Sequence, residues 1–163
     1  MRLFCGILML IWLAPLSAYT PSVFDYDIKH WTSADGLSSN SVRAVTQDHQ
    51  GYLWFGTLYG LHRFDCHQFD VFTTENHPQL ASNAITRLLT DTEGRIWVGT
   101  KAGLTLLKPQ KMQFERLPIF NEVTSMIELA DGDVWIAADQ LFQVSQGQVR
   151  RIEQIKAVVS QLE

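Results

Sequence analysis

Residues 40–65 read NSVRAVTQDHQGYLWFGTLYGLHRFD and residues 83–108 read NAITRLLTDTEGRIWVGTKAGLTLLK, one phrase restated in constant register. Asn40, Asp48, Gly51, Trp54, Gly56, Thr57, Gly60 and Leu61 return 43 residues later as Asn83, Asp91, Gly94, Trp97, Gly99, Thr100, Gly103 and Leu104. A looser third copy begins at Asn121 and keeps Gly132 and Trp135, 38 residues further on. A period of about 40–50 residues made of short strand-like runs is the pattern of a β-propeller blade, whose apolar face is buried only when neighbouring repeats stack. The expected architecture is therefore all-β. It has three four-stranded antiparallel blades at about 41–73, 84–117 and 122–152, the start of a further blade at 155–163, and an incomplete ring.

Within the first copy, 42–47 is a run of β-branched and small residues, followed by the turn Asp48-His49-Gln50-Gly51. In such a turn an Asp side chain bonds its own backbone two residues on, and Gly supplies positive φ. Strand-like runs follow at 52–57, 61–64 and 69–73. The second copy repeats them at 85–90, 95–100, 104–107 and 114–117, and the third at 123–129, 133–137, 141–144 and 149–152. In the third copy Leu129 replaces the turn Asp and Ala137-Ala138 replaces Gly-Thr. Trp54, Trp97 and Trp135 fall mid-strand, where a large ring can fill the gap between adjacent twisted sheets. No stretch sustains the 3.6-residue apolar period of a substantial helix.

Residues 1–18 differ in kind: Arg2 precedes an uncharged, mostly apolar run over 3–13, then Ala14-Pro15-Leu16-Ser17-Ala18. The run is too short to span a bilayer, which takes about 20 residues, and it reads as a secretory signal peptide cleaved near Ala18. Residues 19–163 are then the exported propeller segment, with a net charge of −5 against −4 for the whole chain, since Arg2 is lost. Cys5 goes with the signal, so Cys66 has no internal partner and the domain must hold together without disulfides. Basic residues are scattered, so no nucleic-acid partner is expected.

A search for chemistry finds no catalytic, cofactor-binding or metal-binding set. His30, His49, His62, His67 and His77 show no metal-ligand spacing. No nucleophile elbow, P-loop or dinucleotide fingerprint occurs. The repeated Asp-x-x-Gly supplies one or two carboxylates per turn, where calcium takes 6–8 oxygens. Asp25 and Asp27 would share one face of an edge strand, which suits solubility better than catalysis.

The string Asp-x-x-Gly-x-(Leu/Ile)-Trp-(Phe/Val)-Gly-Thr-x-x-Gly-Leu resembles the two-component regulator propeller repeat, and the resemblance covers about residues 24–144. The segment running from Trp31 to Val42 is similar to the phrase that opens such sensor domains. The resemblance implies a periplasmic propeller that senses a small-molecule or carbohydrate-like ligand. It also implies a dimeric, membrane-anchored receptor whose output is a histidine kinase or diguanylate cyclase. Here the chain is expected to stop inside a fourth blade, because 155–161 resembles 42–48, so any output activity lies outside it. Ligand contacts are expected from loops on one common rim, at 32–41, 58–60, 74–83 and 101–103, with the individual residues unassigned. The alternatives are an exported propeller enzyme similar to streptogramin-type lyases, which would need a His/Glu cluster near the ring axis, or a soluble propeller binding protein.

Overall fold

A computed structural model describes residues 29–153; the signal-peptide reading of 1–18, the edge strand expected to hold Asp25 and Asp27, and the blade start expected at 155–163 fall outside them. Contacts separate Met1–His30 from Trp31–Glu163, and the fold below is that of the second unit.

Among the described residues, twelve strands form three four-stranded antiparallel meanders. Blade 1 comprises β1 (Ala44–Gln47), β2 (Leu53–Gly56), β3 (Leu61–Phe64) and β4 (Phe69–Phe72). Blade 2 comprises β5 (Ile85–Thr90), β6 (Ile96–Thr100), β7 (Gly103–Lys108) and β8 (Gln113–Arg116). Blade 3 comprises β9 (Ser125–Glu128), β10 (Val134–Ala137), β11 (Leu141–Ser145) and β12 (Gln148–Ile152). Short 3-10 turns at Ser33–Asp35 and Pro109–Lys111 are the helical elements among the described residues. The all-β, propeller-like expectation holds, and the three sheets do not close into a ring.

The core lies between blades rather than within them. Trp54, Leu61 and Phe72 of blade 1 pack with Ile85, Ile96, Val98 and Leu107 of blade 2. On the far side, Trp97, Leu104 and Leu106 of blade 2 pack with Val123, Val134, Ile136 and Val144. Blade 2 is thus covered on both faces, and all of β6 is buried. Trp54 and Trp97 are at most 1% exposed, and truncating a ring so placed costs about 3–5 kcal/mol.

Two glycines set the blade spacing. A Cβ on Gly56 would lie 2.5 Å from Ile85 Cγ2, and one on Gly99 would lie 2.8 Å from Val123 Cγ1. Both positions carry a side chain of the next blade's leading residue directly on the backbone, which only glycine permits. The same two leading residues donate their backbone N–H across the seam, Ile85 to Thr57 O at 2.8 Å and Val123 to Thr100 O at 3.0 Å. Hydroxyls add further ties: Thr46 meets Thr90 at 2.8 Å, and Thr86 donates to Val123 O at 2.6 Å.

Candidate functional site

The register decides which loops share an edge. In blade 1, Ala44 pairs with Gly56, Gly56 with Leu61, and Leu61 with Phe72. The chain before β1, the β2–β3 turn and the chain after β4 therefore leave from the same side. Blade 2 repeats this, with Ile85 opposite Thr100 and Thr100 opposite Gly103. The segments 32–41, 58–60, 74–83 and 101–103 accordingly gather on one rim. The 117–124 connector belongs to it as well, and sequence reasoning missed it.

The opposite edge is committed to the fold. Asp48 Oδ1 accepts the N–H groups of Gln50 and Tyr52 at 2.9 and 3.0 Å, and Oδ2 accepts Trp54 Nε1–H at 2.8 Å. Asp91 does the same for Glu93, Arg95 and Trp97, at 3.1, 2.8 and 2.7 Å, and also takes Arg95 Nε–H at 2.6 Å. Each carboxylate thus ties the turn between the first two strands to the indole buried in the blade seam. In blade 3, Leu129 stands where the carboxylate would be, and Trp135 Nε1 is buried without a partner. Between blades 2 and 3 this edge opens a cleft of about 230 Å³ lined by Glu93, Arg95, Lys108, Glu115, Asp131 and Asp133 among others.

The rim is held by a different set of repeated residues. Thr57 Oγ1 accepts Tyr59 N–H at 3.1 Å and donates to Gly60 O at 3.1 Å; Thr100 closes the equivalent turn on Ala102 and Gly103 at 3.1 and 2.9 Å. Asn40 Oδ1 accepts Ser33 N–H at 2.8 Å, and Asn83 Oδ1 accepts Thr74 N–H at 2.7 Å. Buried Leu80 and the Ala81 N–H to Thr105 Oγ1 bond, at 2.9 Å, fasten the long 73–84 connector. Because these ties use backbone groups and repeated residues, the tips project freely. Tyr59 is 62% exposed and Phe120 66%, with the Arg116 guanidinium 5.9 Å from the Phe120 ring centre. Lys101, in the blade 2 turn equivalent to that of Tyr59, is exposed as well.

His62, one of the five histidines without metal-ligand spacing, is fully buried on β3. Its Nε2 accepts Ser38 N–H at 2.9 Å and lies 2.7 Å from Ser38 Oγ, which fixes the opening segment of the rim onto blade 1. The ring proton therefore resides on Nδ1, which has no hydrogen-bond partner of good geometry. Burial lowers the imidazole below its ordinary value of 6.5, opposed by the Phe55 and Gly60 carbonyls. The other described histidines are dispersed: His67 folds back on Asp65, His77 contacts Asn76 and Phe114, and His49 lies against Gly94. Cys66 is an exposed turn residue with φ 75°. Among the described residues no three His, Cys, Asp or Glu side chains come together as a metal site. No described helix is long and apolar enough to cross a membrane.

Comparison with known proteins shows what two of these blades resemble. The profile of the two-component regulator propeller family matches residues 36–59 and 79–102, the stretches that hold both Asp–Trp clips and much of the rim. Two stretches of the chain, in blades 1 and 2, are thus similar to the two-component regulator propeller repeat. A histidine kinase P4 of Formosa agariphila is 42% identical over 55 residues, covering 34% of this chain and 4% of the kinase. The extracellular domain of the hybrid two-component system BT3049 from B. thetaiotaomicron superposes with a TM-score of 0.70 at 25% identity, over 81% of this chain and 20% of that one. Virginiamycin B lyase from Staphylococcus aureus shares the fold alone, with a TM-score of 0.53 at 14% identity over 71% of this chain and 42% of the lyase. The chain thus spans 4% of that kinase, 20% of the BT3049 domain and 42% of the lyase.

Proposed function

We propose that this chain supplies blades to the ligand-sensing propeller of an extracytoplasmic signal-transduction receptor. In this reading it is exported through residues 1–18, and its output is a conformational signal to a kinase or cyclase rather than a reaction. The likeness to extracellular two-component domains supports the location and role. The observation that carries the reading is the division between the two edges: one is locked into Asp–Trp clips, while the other presents exposed side chains on loops fixed from beneath. Tyr59 and Phe120 offer aromatic faces, and Arg116 and Lys101 offer donors. That combination suits a polyhydroxylated ligand, whose C–H faces stack on rings while its hydroxyls take hydrogen bonds.

Calorimetric titration of the exported protein with a panel of mono- and oligosaccharides tests this. A binding sugar should lose at least tenfold in affinity in Tyr59→Ala or Phe120→Ala and be unaffected by Lys108→Ala on the opposite edge. Binding that survives both rim substitutions and fails with Lys108→Ala would move the site to the cleft between blades 2 and 3.

A further inference from the structure

Blade 3 exposes the face on which, in blades 1 and 2, the next blade is seated. A groove of about 440 Å³ runs over it, lined mainly by Ile127, Leu129, Trp135, Ala137 and Leu141, with Ile127 57% and Leu129 40% exposed. Parity along β9 fixes its direction: the Glu128 carboxylate reaches back to Thr92 of blade 2, so the alternate residues Ser125 and Ile127 face away from it.

The two complete seams say what fits such a face. Each is closed by a leading β-branched residue, Ile85 or Val123, seated two positions after the blade tryptophan, on Gly56 or Gly99. In blade 3 that seat is Ala137. Ten residues, 154–163, follow the described chain. The register that aligns 155–161 with 42–48 would put Ile155 at the seat, three residues after β12 ends at Ile152. Three residues reach at most about 11 Å. Passing from the outermost to the innermost strand crosses three strand spacings, about 14 Å, before any step to the next sheet. The shorter observed crossing, from Arg116 at the end of β8 to Val123, takes seven residues. Val158 lies six beyond Ile152, and the sequences agree: 123–128 reads VTSMIE and 158–163 reads VVSQLE. Val, Ser and Glu coincide, and Ile is matched by Leu.

We propose that residues 158–163 cover the open face of blade 3 as the innermost strand of a following blade, with Val158 seated on Ala137. This shifts the blade start by three residues from the 155–161 alignment. Glu163 then occupies the place of Glu128, whose carboxylate accepts the Thr92 N–H at 3.0 and 3.1 Å; the corresponding amide in blade 3 is that of Ala130. The seam is wider than the first two, because the Ala137 methyl occupies space that glycine leaves to the incoming side chain.

Paired cysteines in a chain of residues 1–163 carrying Cys5→Ser and Cys66→Ser test the register. In the other seams the corresponding Cβ positions lie 3.0 and 2.9 Å apart, and a slightly wider seam matches the Cβ separation of about 3.8 Å that a disulfide needs. Ala137→Cys with Val158→Cys should oxidise to an intramolecular bridge, at least tenfold faster than Ala137→Cys with Ile155→Cys. Faster bridging at 155, covalent dimers in place of monomers, or no bridging in either pair each overturns the proposal. In the unmodified chain, hydrogen exchange at the Ala130 amide should be at least tenfold slower than in Glu163→Ala; equal rates overturn it independently.

Discussion

Leu129→Asp restores to blade 3 the carboxylate that blades 1 and 2 use, and it should stabilise the protein. The buried Trp135 Nε1–H has no acceptor, a defect that costs about 1–3 kcal/mol. An Asp at 129 stands six residues before the tryptophan, as Asp48 and Asp91 do. It would also accept amide bonds from 131 and 133, each worth about 1.5–3 kcal/mol when the acceptor is charged. Against this, Leu129 is 40% exposed among the described residues, so its loss costs about 1 kcal/mol there and about 2 kcal/mol where a following strand covers it. Asp133 N–H must leave Asp131 Oδ1, and crowding by the Asp131 and Asp133 carboxylates removes about another 1 kcal/mol. Taking the middle of each range and the lower Leu129 cost, with the lost Asp131 bond valued like those gained, the net gain is about 2 kcal/mol, or about 4–8 °C in Tm for a chain of this length. Thermal and urea unfolding in the Trp135→Phe background provides the control, since that ring has no N–H to satisfy. An equal gain in both backgrounds, or none in either, would refute the clip as the source. The converse substitution, Asp91→Leu, strips acceptors from Trp97, Arg95 and two amides and should cost about 3 kcal/mol or more.

Gly99→Ala should destabilise by about 1–3 kcal/mol in urea unfolding, because its methyl would lie 2.8 Å from Val123 Cγ1; Gly132→Ala, with φ 84° and open space around it, should cost about 1 kcal/mol. His62 predicts loss of stability on acidification. Its folded pKa lies below 6.5, so above that value the neutral ring binds Ser38 at no protonation cost. As pH falls below 6.5 the unfolded chain takes up a proton first, and stability declines until the folded pKa is passed. Urea midpoints at pH 7.5 and 5.5 should therefore differ more for the native protein than for His62→Gln. Amide exchange should be slowest in β6, which is buried along its whole length between two seams, and faster in β1 and β12.

The blade plan was legible because its signals are local. A turn Asp, a following Gly and a mid-strand Trp announce themselves within seven residues, and the repeat confirms them by restating them. What escaped the sequence acts across longer separations or through atoms that the pattern does not label. Asp48 was readable as a turn residue through Oδ1, but the use of Oδ2 for the Trp54 indole appears only once β2 is placed. Asn40 and Asn83 repeat without an evident duty until each is found closing a rim loop. His62 and Ser38 are 24 residues apart and share no motif. Phe120 was missed because it falls in the short connector just before Asn121, ahead of the start of the third copy, at a position the phrase does not repeat.

The repeat also shows where recognition can reside. Residues identical between the first two copies are those that build the clips, the seams and the rim turns, so none of them can vary without cost to the scaffold. Inside the Thr-x-x-Gly turns the two central positions are free, and there the copies diverge: Leu58-Tyr59 in blade 1 and Lys101-Ala102 in blade 2. Blade 3 offers Asp139-Gln140 at the same level of its shorter turn. One scaffold therefore presents an aromatic, a cationic and an acidic tip along a single rim. A uniform polymer or membrane surface would be met equally well by identical tips, whereas three different chemistries at fixed spacing suit a ligand whose own groups differ from one end to the other. Specificity on the proposed rim accordingly belongs to the positions at which the phrase does not repeat.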